Sequence, residues 1–220
     1  MAEIRVNPTR MELKKLKNRL ITARRGHKLL KDKRDELMRR FLDVVREDRE
    51  LRQTVEKGLR AAYAAFSIAT GATGPRPLRE ALILPRAEGE LTVGTHNLMS
   101  VICPTFSLRL PEDAGGGCYG FAFTSAELDP ALEELSALTA DLIRLAELEK
   151  TASLLALEIE RTRRRVNALE YIMIPQYEEA IRRISMKLDE NERGSRTRLM
   201  KVKDMMLMAA REAAAQRGDL

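Results

Sequence analysis

Two histidines, two cysteines and a run of three glycines are the places where this sequence could do chemistry, and none is arranged for it. His27 and His96 lie far apart. Neither belongs to an H-E-x-x-H pair of the kind that grips zinc. Cys103 and Cys118 form no C-x-x-C motif and no metal-type cluster. Reduced thiols in a cytoplasmic setting are expected, and a structural disulfide is not. Gly115-Gly116-Gly117 lacks the following Lys-Ser/Thr with which a glycine loop holds phosphates, so it reads as a turn. No G-x-S-x-G elbow and no pair of carboxylates spaced for acid–base work is present. The sequence predicts a non-catalytic chain with no cofactor, no metal and no nucleotide of its own.

The chemistry that remains is ionic. Lys and Arg number 39 against 33 Asp and Glu, for a net charge of +6. Such a balance permits nucleic acid, an anionic membrane or an acidic protein as partner. The basic residues gather in two stretches: Lys14, Lys15, Lys17, Arg19, Arg24, Arg25 and Lys28, then Arg193, Arg196, Arg198, Lys201 and Lys203. Met200, Met205, Met206 and Met208 share the second stretch, and methionine adapts to varied surfaces. A solvated face is one reading, and contact with an acidic partner surface is the other. Nucleic acid fits poorly, because no aromatic residues interleave with the charges. The candidate contact set is Lys14, Lys17, Arg24, Arg25, Arg196, Arg198, Lys201, Lys203, Met205 and Met206. Arg161 to Arg165 is a further basic run, partly neutralised by Glu158 and Glu160.

These charges sit on long helices. Leu13, Leu16, Leu20, Ala23, His27, Leu30, Arg34, Leu37, Phe41, Val44, Asp48, Leu51, Val55, Gly58, Ala62 and Ala65 step alternately by three and four, and twelve of the sixteen are apolar. Such a stripe keeps one face of a helix toward a partner helix. His27 falls on it and reads as a tolerated polar residue. A helix from Thr9 to Phe66 would be roughly 90 Å long, which suits a shaft or spacer. Asn7 or Thr9 can cap it, with Pro8 in the first turn. With only 4% aromatics and no Trp against 33% charged residues, a large compact core is not expected.

Composition divides the chain into residues 1–70, a long helix; 71–126, a small β-containing head; and 127–220, a second long helix with a short tail. Gly71, Gly74, Pro75 and Pro77 should stop the first helix. Strand-like runs in the head are Ala81–Leu84, Leu91–Val93, Leu98–Cys103 and Tyr119–Phe123, with a turn at Arg86–Glu90 and a loop at Pro111–Gly117. Ser125 can cap the last helix. Its stripe runs from Leu135 to Met173, shifts to Ile174, Tyr177, Ile181, Ile184 and Leu188, and goes on through Leu199, Val202 and Met206. Pro175 should bend it, and Gly194 could mark another bend.

The fold class expected is mainly α: an antiparallel two-helix coiled coil with a small hairpin head at its far end. Equal rise along both helices sets Leu13 beside Val202 and Phe66 beside Glu149. Leu37 and Phe41 then pack near Met173–Ile181, and residues 127–147 pack on the head. Met1–Asn7 has no apolar run. No stretch approaches the roughly 18 apolar residues of a membrane span, so neither a leader nor a transmembrane helix is expected.

Three blocks resemble the D subunit of the V-type (archaeal/vacuolar) rotary ATPases. The first is Asn7-Pro8-Thr9-Arg10-Met11-Glu12-Leu13 with Gly26 to Leu37. The second is Arg163 to Glu170 followed by Ile174-Pro175. The third is Lys187 to Arg193 with Arg198 to Lys203. In the head the resemblance is confined to length and Gly120-Phe121-Ala122-Phe123. It implies a central rotor shaft on the cytoplasmic side of a membrane, one component of an ATPase or ATP synthase that couples ATP turnover to ion transport. It implies as partners the hexameric ring of catalytic and non-catalytic subunits, the small central-stalk F subunit, and the funnel-shaped subunit on the membrane ring. Membrane contact is then indirect. On that view the basic, Met-bearing end meets the hexamer, and the hairpin expected around Leu82–Val93, with Leu84, Arg86, Glu88 and Glu90, faces the stalk. The reading without rotation is a static coiled-coil scaffold or adaptor whose basic tip binds an acidic partner or nucleic acid.

Overall fold

A computed structural model describes residues 7–83, 89–109, 119–120 and 124–218, the stretch 212–218 by its backbone alone. The chain is mainly helical. Helix α1 spans Arg10–Thr73, α2 Pro75–Ala81, α3 Leu128–Ala168 and α4 Ile174–Gly218, and a π-helical turn, Leu169–Met173, joins α3 to α4. Strands β1 (Glu90–Leu98) and β2 (Val101–Arg109) form one antiparallel hairpin. Two compact units result. One holds the residues up to Asp32 and from Arg163 onward, and the other is Lys33–Thr162.

In the first unit, Thr9 caps α1: its hydroxyl accepts the Glu12 N–H at 3.2 Å. Asn7 is not the cap, and Pro8 precedes the helix instead of entering its first turn. Leu16, Ala180 and Ile184 are buried together, with Leu13, Tyr177, Ile181 and Leu188 around them. Polar pairs between side chains follow the same antiparallel order. Arg10 meets Glu192, Arg24 meets Glu178 at 2.6 Å, and His27 Nε2 meets Glu170 Oε2 at 3.4 Å. Leu13 therefore lies against the Leu16–Ile184 cluster and not against Val202, which is exposed. The register differs from equal rise by about three and a half turns. The shift in the stripe between Met173 and Ile174 coincides with the π turn. There the Ile174 N–H bonds the Leu169 carbonyl, five residues back, just before Pro175, which has no N–H to give. Helix α4 runs on through Gly194.

In the second unit, α1 and α3 again run antiparallel, from Lys33 facing Glu158 at 3.7 Å to Phe66 and Ala69 beside Leu128. Residues 128–147 thus pair with α1 itself. Leu138 covers Gly58, Arg144 bonds Glu47, and Glu149 meets Arg52, not Phe66. Within this unit the hairpin packs beside Leu37 and not beside Phe66, where the head was expected. Val101 and Cys103 of β2 are buried with Leu37, Leu155 and Ile159, flanked by Phe41, Val44, Leu98, Met99 and Leu154. Leu37 and Phe41 accordingly pack on β2 and α3, not on residues 173–181. Burial pushes the Cys103 thiol above its ordinary range.

The hairpin turn is Met99-Ser100, both at positive φ (52° and 73°), and Asn97 Oδ1 accepts the Ser100 N–H at 2.8 Å. The turn expected at Arg86–Glu90 is therefore not the hairpin turn, since Glu90 already opens β1. Ala81, expected in a strand, ends α2. Gly71 lies within α1, and the break comes at Gly74, with φ 86° and Pro75 as the first residue of α2. Tyr119 is not in a strand. It packs on the Ala69–Leu78–Leu128 cluster, and its hydroxyl donates to Asp129. Arg86–Glu88, Pro111–Gly117, Cys118 and Phe121–Phe123 lie outside the described residues.

Candidate partner interface

The basic set divides between two settings. On α1, Lys14, Lys17 and Arg25 lie along the stretch paired with α4, while Arg24 is already bound to Glu178. On α4, Arg196, Arg198, Lys201, Lys203, Met205 and Met206 lie past Arg10, the first residue of α1. Arg196 keeps a long contact of 3.9 Å with Glu192. The structure does not gather the two stretches into one patch, because α1 begins at Arg10, opposite Glu192, and the second stretch runs on beyond it. At the junction a shallow groove of about 360 Å³ is lined by Arg10, Leu188, Asn191, Glu192, Ser195, Arg196 and Leu199.

Past this junction α4 buries nothing among the described residues. Leu199 is 68% exposed and Met206 70%, and Met200, Val202, Met205, Leu207 and Met208 are exposed as well. The stripe through Leu199, Val202 and Met206 therefore does not continue the pairing seen at Tyr177–Leu188. A helix end with apolar residues and cations in water has the composition of an unfilled interface.

Among the residues expected to face a stalk partner, Leu84, Arg86 and Glu88 lie outside the described residues, and Glu90 stands exposed at the open end of the hairpin, opposite Arg109. The outward face of the hairpin is a further exposed apolar surface, outside the candidate set. Val93 pairs with Phe106 and Leu91 with Leu108 on that face, and Ile102 is 67% exposed beside them. The period-two alternation of β2, buried Val101 and Cys103 around exposed Ile102, is the signal that marks it.

A three-element ionic network fixes the hairpin to the helices. The half-buried Phe106 donates its N–H to Glu147 Oε2 at 3.0 Å. Arg144 bonds Glu147 at 3.1 Å and Glu47 at 2.9 Å. The hydrogen bond to Glu47, with both carboxylates near, raises the guanidinium pKa against the opposing effect of burial. Among the described residues no group of His, Cys, Asp and Glu is placed to hold a metal, and no helix is long and apolar enough to cross a membrane.

The family model for the ATP synthase D subunit matches residues 12–204, nearly all of both helical regions. The chain belongs to that family. It is 57% identical over 212 residues to the V-type ATP synthase D subunit of Acetivibrio thermocellus, covering 96% of each chain. It is 54% identical over 213 residues to that of Clostridioides difficile strain 630, again covering 96% of each. With that of Thermoanaerobacter sp. strain X514 it shares 52% over 207 residues, 94% of this chain and 99% of the relative. The match spans the paired helices, the hairpin and the exposed end of α4 alike.

Proposed function

We propose that this chain is the central-stalk rotor of a V-type ATPase or ATP synthase, carrying torque between a catalytic hexamer and a membrane ion-translocating ring. Its partners on this reading are the ring subunits, the small central-stalk F subunit and the funnel-shaped subunit of the membrane ring. It works peripherally, on the cytoplasmic side.

The observation that carries the reading is the end of α4, which leaves its own partner helix at Arg10 and goes on with Leu199, Val202 and Met206 exposed. A static scaffold bound through a basic tip would use the charges of such an end but not its apolar side chains. A shaft seated in a ring uses both. Apolar side chains give a sleeve contact, and the cations Arg196, Arg198, Lys201 and Lys203 add weak exposed pairs worth about 0–1 kcal/mol each. Neither locks the shaft to one position in the ring. The hairpin side of the second unit is then available to the stalk partners.

The test is isolation of the native assembly through a tag on this chain. One copy per hexameric ATPase ring is expected. A chain that self-associates, or that binds without the ring, would favour a scaffold.

A further inference from the structure

The two edges of the hairpin are treated differently by the fold. A two-residue turn at Met99-Ser100 makes Leu98 and Val101 a hydrogen-bonded pair. The alternation then continues down β1. Thr92, Gly94 and His96 turn their N–H and C=O groups to β2, while Leu91, Val93, Thr95 and Asn97 turn theirs away. On β2 the corresponding outward N–H of Phe106 is taken by the Glu147 carboxylate. On β1 the outward groups meet nothing among the described residues, and Glu90 to Asn97 are exposed throughout. Natural sheet edges are usually guarded by Lys, Pro or a bulge, and Leu91–Asn97 has none of these.

Two of the four residues with outward backbone groups, Leu91 and Val93, also carry apolar side chains. Leu91 and Val93 lie on the same side as Ile102, Phe106 and Leu108, away from the buried Val101 and Cys103. A strand added to this edge would gain hydrogen bonds and extend an apolar surface with the same alternate residues. The one charge on β1 is Glu90, at its end. The matching segment is therefore uncharged along Leu91–Asn97, and Glu90 already faces Arg109 across the ladder. A second copy fits less well. Antiparallel self-pairing about Gly94, which uses the whole strand, sets Leu91 against Asn97 and Val93 against Thr95.

We propose that the open edge of β1 is a docking strand for an extended, uncharged segment of a partner subunit with apolar residues at alternate positions. The mode is strand addition, in which backbone bonds supply affinity and alternate side chains supply specificity.

Residue-resolved hydrogen–deuterium exchange on the full chain, free and in its native assembly, tests it. In the free chain the amides of Leu91, Val93, Thr95 and Asn97 exchange fast and those of Thr92 and His96 slowly. In the assembly the four outward amides slow by about tenfold or more. Val93→Pro removes one outward N–H and leaves the β2 ladder intact. It is expected to restore fast exchange at Leu91 and Thr95 in the assembly while Thr92 and His96 stay slow. Should proline open the hairpin itself, Val93→Lys guards the edge with its N–H in place and is expected to weaken protection by a similar factor. Outward amides as fast in the assembly as in the free chain would overturn the proposal. So would protection of the free chain that rises with concentration alongside a dimeric mass, which would assign the edge to a second copy. An assembly without an ATPase ring would sink the rotor reading and leave this measurement standing.

Discussion

Gly58 and Leu138 meet so closely that a Cβ on Gly58 would stand 2.4 Å from Leu138 Cδ2 and 3.1 Å from its Cγ. Leu138 is buried, so its side chain fills the space a larger residue would need. Gly58→Ala gains about 1 kcal/mol of helix propensity and loses about 1–3 kcal/mol to overpacking. A net loss of up to about 2 kcal/mol is expected from denaturant unfolding. Combining it with Leu138→Ala should remove the clash, so the pair is expected to be less costly than the sum of the two changes. At Gly26 and Gly71 nothing lies within 4 Å of a built Cβ, and there alanine should stabilise by up to about 1 kcal/mol.

Glu147 is 7% exposed and holds the Phe106 N–H. Glu147→Ala leaves that donor and Arg144 short of an acceptor and is expected to cost about 2–3 kcal/mol. Glu147→Gln keeps an acceptor oxygen and should cost less than half as much. Equal losses from the two changes, read from urea midpoints, would mean the carboxylate is not what ties β2 to α3.

At the turn, Ser100 holds φ 73° without being glycine. Ser100→Gly should raise stability by about 0.5–1 kcal/mol by removing that strain. Met99→Gly should not, since Met99 also packs against the buried cluster that holds Val101 and Cys103. Thermal unfolding of the two variants separates them.

Burial, and then its bond to Asp129, push the Tyr119 phenol up to about 12. A raised folded pKa means that the neutral phenol, buried and bonded to Asp129, contributes its full stability below the ordinary tyrosine value of about 10. That contribution fades as pH climbs through the folded value. An ultraviolet titration of wild type against Tyr119→Phe should find one phenol ionising later than the rest. Its absence would place Tyr119 in water.

The paired helices were legible because Leu and Ile repeat at helical spacing, and Leu16, Leu37, Leu155 and Ile184 are buried where that spacing puts them on the inner face. The register was not legible. It depends on where α3 begins to pair, and the local marker is a single glycine: Gly58 on the stripe admits Leu138. The hairpin position was hidden for a similar reason. Met99-Ser100 carries none of the Asn-Gly chemistry that announces such a turn, while Arg86-Ala87-Glu88-Gly89 looks more like one. Of the candidate contact residues, their types were readable and their partners were not. Nothing in the charge of Arg24 reveals that Glu178 already holds it.

Rotation of this chain can be watched directly. With the catalytic ring fixed to a surface and a gold rod attached to this chain on the hairpin side, ATP is supplied and the rod angle is recorded. Sustained turning in one direction is expected. It should weaken or stop when Leu199, Val202 and Met206 are changed together to Ser, because the exposed end of α4 then loses the apolar side chains proposed to seat it in the ring. A rod that stays still while the intact assembly hydrolyses ATP would contradict the rotor role and leave this chain a static part of the complex.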